Sequence, residues 1–180
     1  AGSAEFADGT DMSPALADGK LHIVSKTGVW YQLDTATLAI EKKCATGAIQ
    51  PVASAPVIRG NTLVFADRKG TVTAIDIGAA SVIWQTKLDA SKNVEVFADP
   101  VVTASGVYLF ANGFIYALSP FSGKPLFSPV PGAVSQVCAS TGVFWLGLGD
   151  DALAGLSPLQ GSVITNIPVP ASVSGRPFMD

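Results

Sequence analysis

A single histidine and two short acidic clusters are the residues of this 180-residue chain best equipped for chemistry. Any Ser-His-Asp or Cys-His arrangement must use His22, because an activated nucleophile needs a base within hydrogen-bond reach and the chain has no second imidazole. His22 lies in the apolar run LHIV, at the position that Val64, Tyr108 and Phe144 fill in three matching runs. A histidine of a strand core, or of a seam between sheets, is therefore expected, and a metal site built from several histidines is ruled out. Asp150-Asp151 and the string DGTD (residues 8–11) carry carboxylates of the kind calcium uses. Calcium takes about six to eight oxygens, and DGTD lacks the spaced acids and closing Glu of an EF-hand loop. Adjacent carboxylates in a hairpin are expected to form a solvated turn. Nothing in the sequence brings two carboxylates to a common cleft, as glycoside hydrolysis requires. Trp30-Tyr31 and Trp145 are expected in strand cores rather than in a ligand pocket. No residue is assigned a catalytic, cofactor-binding or metal-binding role.

The elements that would hold these residues follow from composition and repetition. Apolar residues make up 48% and charged residues 14% of the chain, which argues for a packed core and against disorder. The net charge of −3 is spread without blocks, and Lys42-Lys43 and Arg68-Lys69 are the only adjacent basic pairs, so nucleic acid is not an expected partner. No apolar run approaches the roughly 18 residues of a membrane span. The opening AGSAEFADGTD has neither a basic start nor an apolar stretch. Low charge and few cysteines fit a periplasmic or secreted β-protein without excluding the cytosol.

Three segments share one skeleton: GVWYQLDTATLAIEK (28–42), GTVTAIDIGAASVIW (70–84) and GFIYALSPFSGKPLF (113–127). Asp34, Asp76, Ser119 and Ser157 hold equivalent positions about 40 residues apart, the period of a propeller blade. A second apolar run precedes each: LHIV, LVFA, VYLFA and VFWLG. Short runs bounded by Gly, Asp, Asn and Ser, several of them apolar without alternation, mark strands covered on both faces. The linkers KTG, DRKG and NG predict hairpins with Gly28, Gly70 and Gly113 at positive φ. No apolar period of 3.6 persists, so helix is a poor alternative. The fold expected is all-β: a β-propeller, or an arc of one with about four blades, each a four-stranded antiparallel sheet. Residues 1–12 form a lead-in, and the repeats occupy about 13–54, 55–98, 99–132 and 133–170. Residues 171–180, containing SGRPF (174–178), start a fifth repeat or a closing strand. Phe127 and Trp84 are expected on outer strands, covering the neighbouring blade, with Lys42 and Thr165 in the equivalent places. Cys44 follows the last strand of the first repeat and Cys138 enters the first strand of the fourth. That placement exceeds the roughly 7 Å Cα separation a disulfide allows, so no intrachain bridge is expected.

GTVTAID…IW and GFIYALSP.SGKPLF resemble the repeats of pyrroloquinoline-quinone-like (quinoprotein-type) propellers, G-x-(I/V)-Y-A-L-D-x-x-T-G-x-x-x-W. Gly113, Tyr116, Ala117, Leu118, Gly123 and Lys124 fit in the third unit. Gly70, Ala74, Ile75, Asp76 and Trp84 fit in the second, where Ala80 replaces the turn glycine. The resemblance implies one of three roles: a quinone- and calcium-dependent dehydrogenase, a scaffold such as the lipoprotein of the outer-membrane β-barrel assembly machine, or a terminal module of an adenylate-forming enzyme. Such dehydrogenases carry adjacent cysteines, which this chain lacks, and no position matches their calcium ligands. The expected function is a non-catalytic scaffold or recognition module that binds protein or peptide, without cofactor; the alternative is an enzyme fragment, with quinone and calcium. Family wheels have seven or eight blades, so these residues are expected to be a segment of a longer polypeptide or a half that pairs with a second propeller half.

Overall fold

The computed structural model of the protein describes residues 8–48, 50–89, 94–132, 138–140, 142–147 and 152–168. Among them sixteen strands form four antiparallel sheets of four strands each, and no residue is helical. Every sheet is a simple meander whose strands follow in chain order. The first comprises β1 (Ala15–Ala17), β2 (Lys20–Val24), β3 (Val29–Asp34) and β4 (Ile40–Ala45). The second comprises β5 (Val57–Arg59), β6 (Thr62–Ala66), β7 (Thr71–Asp76) and β8 (Ser81–Lys87). The third comprises β9 (Val101–Val102), β10 (Val107–Ala111), β11 (Phe114–Leu118) and β12 (Val130–Pro131). The fourth comprises β13 (Cys138–Ser140), β14 (Val143–Gly147), β15 (Ala152–Leu156) and β16 (Val163–Pro168). This is the β-propeller architecture that the repeats predict.

The chain divides into two compact units, Ala1–Asp99 with the first two sheets and Pro100–Asp180 with the last two. In the first unit, Val24 and Trp30 pack with Val52, which precedes β5, and with Leu63, Phe65 and Ile75 of the second sheet. Lys42 reaches across the same seam, where its ammonium donates to the carbonyls of Ile77 and Gly78 at 3.1 Å each. In the second unit, Tyr108, Ile115 and Ala117 meet Phe144, Leu146, Ala154 and Leu156. Middle strands covered on both faces need apolar side chains at consecutive positions, which is why β6, β7, β10 and β11 lack alternation.

Two turns recur. The middle hairpin turns through Gly28, Gly70 and Gly113 at φ of 77°, 81° and 78°. The turn into the last strand passes through Leu38, Ala80, Gly123 and Gly161 at φ of 57°, 52°, 67° and 66°. Two of these four left-handed positions thus carry a Cβ, which glycine would spare.

Two expectations are corrected. Phe127 is not on an outer strand: β12 is only Val130–Pro131, paired with Phe114 and Ile115. Pro125, Pro129 and Pro131 remove the N–H donors that a longer ladder needs. The Phe127 ring still covers the neighbouring sheet, stacked on Phe144 at 6.4 Å between centroids. Cys44 lies within β4, not after it, because the pairing continues through Trp30–Cys44 to Val29–Ala45. Asp150, Asp151, the SGRPF segment and the Cys138 side chain lie outside the described residues.

Candidate functional site

His22 is 2% exposed. Its Nδ1 accepts a hydrogen bond from the Trp30 indole N–H at 3.3 Å, and the rings stack at 5.8 Å. Burial holds the imidazole below its ordinary pKa, against the favourable charge of Asp18 and a backbone hydrogen bond to Ala17. Cross-strand pairing places Gln32 beside His22 and Lys42 beside Gln32. The Gln32 Oε1 is buried without a hydrogen-bond partner. Gln32 has no nucleophilic atom and the Lys42 ammonium is held by the Ile77 and Gly78 carbonyls, so His22 is a packed, hydrogen-bonded base.

The carboxylates are equally occupied. Asp8 accepts from the Thr27 hydroxyl and, at 3.1 Å, from the Thr27 N–H, which lowers its pKa. Asp11 pairs with Lys26 at 3.0 Å. Asp34 Oδ1 accepts the N–H groups of Thr37 (2.9 Å) and Ala36 (3.0 Å), and its Oδ2 pairs with Lys20 at 3.1 Å. The Thr37 N–H foremost, and then Lys20, hold Asp34 well below the usual carboxylate range. Asp76, at the same place in the second sheet, is lowered by the Ala79 N–H and by the Asn61 amide. These aspartates brace turns. Among the described residues no group of three or more His, Cys, Asp or Glu side chains could hold a metal ion. Cys44 is a free thiol whose pKa is pushed up by burial.

What the sheets do offer is backbone at their outer edges. Four last strands occupy equivalent places but differ in protection. β4 carries Glu41, Lys42 and Lys43, with Glu41 held by Lys20 at 2.6 Å. β12 is two residues long and contains proline. β8 presents Val82 and Ile83 but ends in Lys87. β16 has six residues, VITNIP, without a charge, and Val163, Ile164 and Ile167 are 52%, 57% and 44% exposed. Lysine, proline and shortness are the usual means of blunting a sheet edge, and β16 has only its terminal Pro168. The sequence carried this signal: residues 152–168 contain no Asp, Glu, Lys or Arg.

A second feature lies in the first unit. A cleft of about 500 Å3 is bounded by the segment after β4 (Gly47, Ala48, Gln50), the β6–β7 turn with the first residue of β7 (Asp67, Lys69, Thr71) and the end of β8 (Gln85, Lys87).

A family model described as outer membrane protein assembly factor BamB matches residues 3–128 and again residues 53–179. The curated protein of that name from Yersinia pestis is 30% identical over 128 residues, covering 64% of this chain and 33% of its own length. A second, from Moranella endobia, is matched over 37% of its length, so the chain spans about a third of these curated relatives. Among solved structures, BamB from Moraxella catarrhalis superposes with a TM-score of 0.72 at 16% identity, over 88% of this chain and 49% of that one. The quinohemoprotein alcohol dehydrogenase from Comamonas testosteroni superposes with a TM-score of 0.68 at 11% identity, over 91% of this chain and 35% of that one. Both structural likenesses speak for the fold.

Proposed function

Because the chain belongs to the family of PQQ-like repeat propellers whose model is that of the outer membrane protein assembly factor BamB, we propose that it is a non-catalytic scaffold. In this reading it binds extended polypeptide at the bacterial envelope, in the course of outer membrane protein assembly. The observation that carries the reading is β16, an uncharged outer strand with three exposed aliphatic side chains. An incoming strand would pair with its backbone edge, which no described strand covers, and bury those side chains, the mode in which main-chain hydrogen bonds supply affinity and alternate side chains supply selectivity. The occupied acids and the solitary, stacked histidine support the non-catalytic half of the reading.

The test is binding of a urea-denatured outer membrane β-barrel protein, diluted into buffer with the chain and followed by fluorescence anisotropy. Ile164→Lys combined with Ile167→Lys removes two half-buried contacts worth roughly 1 kcal/mol each on docking. It also sets charge on the edge, so affinity should fall at least tenfold. Unaltered affinity in a variant with unaltered circular dichroism overturns strand addition at β16.

A further inference from the structure

We propose that the second unit carries a phospholipid-docking rim, where the tips of the β11–β12 and β15–β16 turns insert shallowly into the headgroup region of a bilayer. The inference goes beyond the scaffold reading and does not rest on it. Both turns are six-residue loops, SPFSGK (119–124) and SPLQGS (157–162), closed by the same two backbone hydrogen bonds. The Ser119 N–H donates to the Lys124 carbonyl at 2.8 Å and the Gly123 N–H to the Ser119 carbonyl at 2.9 Å. In the other loop Ser157 donates to Ser162, and Gly161 to Ser157, at 2.9 Å each. The third residue of each loop is its tip: Phe121 is 83% exposed and Leu159 is 60% exposed. The first sheet closes its loop in the same way, Asp34 donating to Ala39 at 3.0 Å and Leu38 to Asp34 at 2.9 Å, yet Ala36 forms its tip. Gly78 holds the corresponding place in the second sheet. The turn therefore folds without a large apolar tip, and Phe121 and Leu159 meet no need of the fold. Large apolar side chains that recur at one exposed place mark an interaction surface.

Charge separates these loops from their counterparts as well. The loops of the first unit open on Asp34 and Asp76, whose carboxylates accept N–H groups of the turn. Those of the second unit open on Ser119 and Ser157. Among the described residues of the second unit, Lys124 is the only charged side chain, and it is exposed, three residues from Phe121. A lysine beside an aromatic tip suits a phospholipid surface, because its alkyl stem lies along apolar matter while its ammonium stays among the phosphates. The two loops share one rim. Tyr108 pairs across the ladder with Ala117, two residues before Ser119, and its hydroxyl donates to the Pro158 carbonyl at 2.9 Å. The Phe127 ring lies so close to Gly161 that a Cβ there would stand 2.6 Å from it. Pro120 and Pro158 fix the backbone ahead of each tip, so little order is lost on docking. Two loop tips offer far less than the roughly 800 Å2 per partner of a stable protein interface. A fluid bilayer accepts them without a matching pocket.

The test is flotation of the chain with vesicles of phosphatidylethanolamine and phosphatidylglycerol, and with vesicles of phosphatidylcholine alone. Saturable flotation is expected with both. Phe121→Ser and Leu159→Ser should each weaken it about tenfold, as partial burial of such a side chain implies, and together should abolish it. Circular dichroism and melting temperature should not change, since both side chains are exposed. Lys124→Gln should weaken binding about fivefold on the phosphatidylglycerol vesicles and leave phosphatidylcholine binding unchanged. Phe121→Trp should add a blue-shifted emission that lipids brominated near the headgroup quench. No flotation, or flotation that survives the double serine variant, overturns the rim. If vesicles do not bind but the double variant loses affinity for the denatured barrel protein, the rim serves a polypeptide: the lipid inference fails and the scaffold reading stands. If vesicles bind and the denatured barrel protein does not, the scaffold reading fails and the lipid inference stands.

Discussion

Replacing Ala80 by glycine should stabilise the protein, although glycine in a β-protein ordinarily weakens it. Ala80 holds φ at 52° in a turn whose counterparts Gly123 and Gly161 sit at 67° and 66°. A left-handed alanine carries a strain of roughly 1–2 kcal/mol, which glycine removes. Against that, glycine gives back about 0.5–1 kcal/mol of chain entropy. The methyl group also packs, half-buried, on the Trp30–Phe65 core, a loss of a few tenths of a kcal/mol at about 0.8 kcal/mol per fully buried carbon. The balance is a gain of about 0.5 kcal/mol, or a urea midpoint higher by about 0.25 M for a slope near 2 kcal/mol/M. Trp84, on the strand that Ala80 leads into, gives a fluorescence signal for the unfolding curve. The opposite change calibrates the scale. Gly123→Ala should lose about 1 kcal/mol to strain alone. Gly161→Ala should lose more, because its Cβ would stand 2.6 Å from the Phe127 ring, and overpacking adds about 1–3 kcal/mol. The reasoning is refuted if Ala80→Gly loses as much stability as Gly123→Ala.

Three further outcomes are expected. His22 is held below its ordinary pKa, so the unfolded chain binds its proton first and stability falls as pH drops below about 6.5. His22→Gln should flatten the urea midpoint between pH 7 and 5, and an unchanged slope would show that the imidazole is not buried neutral. Asp34 and Asp76 are depressed carboxylates, so their stabilisation is present above the ordinary carboxylate pKa near 4 and is lost as pH falls below it. Asp34→Asn should blunt the acid limb below pH 4 while leaving the His22 limb intact, as thermal melts across pH would show. Titration with pyrroloquinoline quinone and calcium should leave the fluorescence of Trp30, Trp84 and Trp145 unchanged; saturable quenching at micromolar quinone would restore the dehydrogenase reading.

The repeat announced itself because propeller sheets need the same residues at the same places: glycine at 28, 70 and 113 for a left-handed turn, and consecutive apolar residues in β6, β7, β10 and β11. Phe127 shows where such reading stops. Its spacing from Ser119 matches that of Trp84 from Asp76, and its ring does cover the next sheet, but three prolines dissolve the ladder around it. Ala80 was visible as a missing glycine, yet its φ of 52° is fixed by the turn rather than by its own preference. The candidate surfaces were less legible. The β16 edge has a one-dimensional signature, an uncharged stretch, that acquires meaning only beside the charged β4 and the proline-bearing β12. The cleft joins residues from three segments, of which only the pair Arg68-Lys69 stood out in sequence. Lys87 and Gln85 become part of it through the pairing of β7 with β8.

The most direct test of a scaffold that works by strand addition is amide hydrogen exchange with and without a denatured outer membrane β-barrel protein. An added strand would take up N–H groups along Val163–Ile167 that no described strand pairs, so exchange there should slow on binding, while β4, guarded by its charges, should not change. Slowing spread evenly over all four sheets, or absent from β16, would contradict the account.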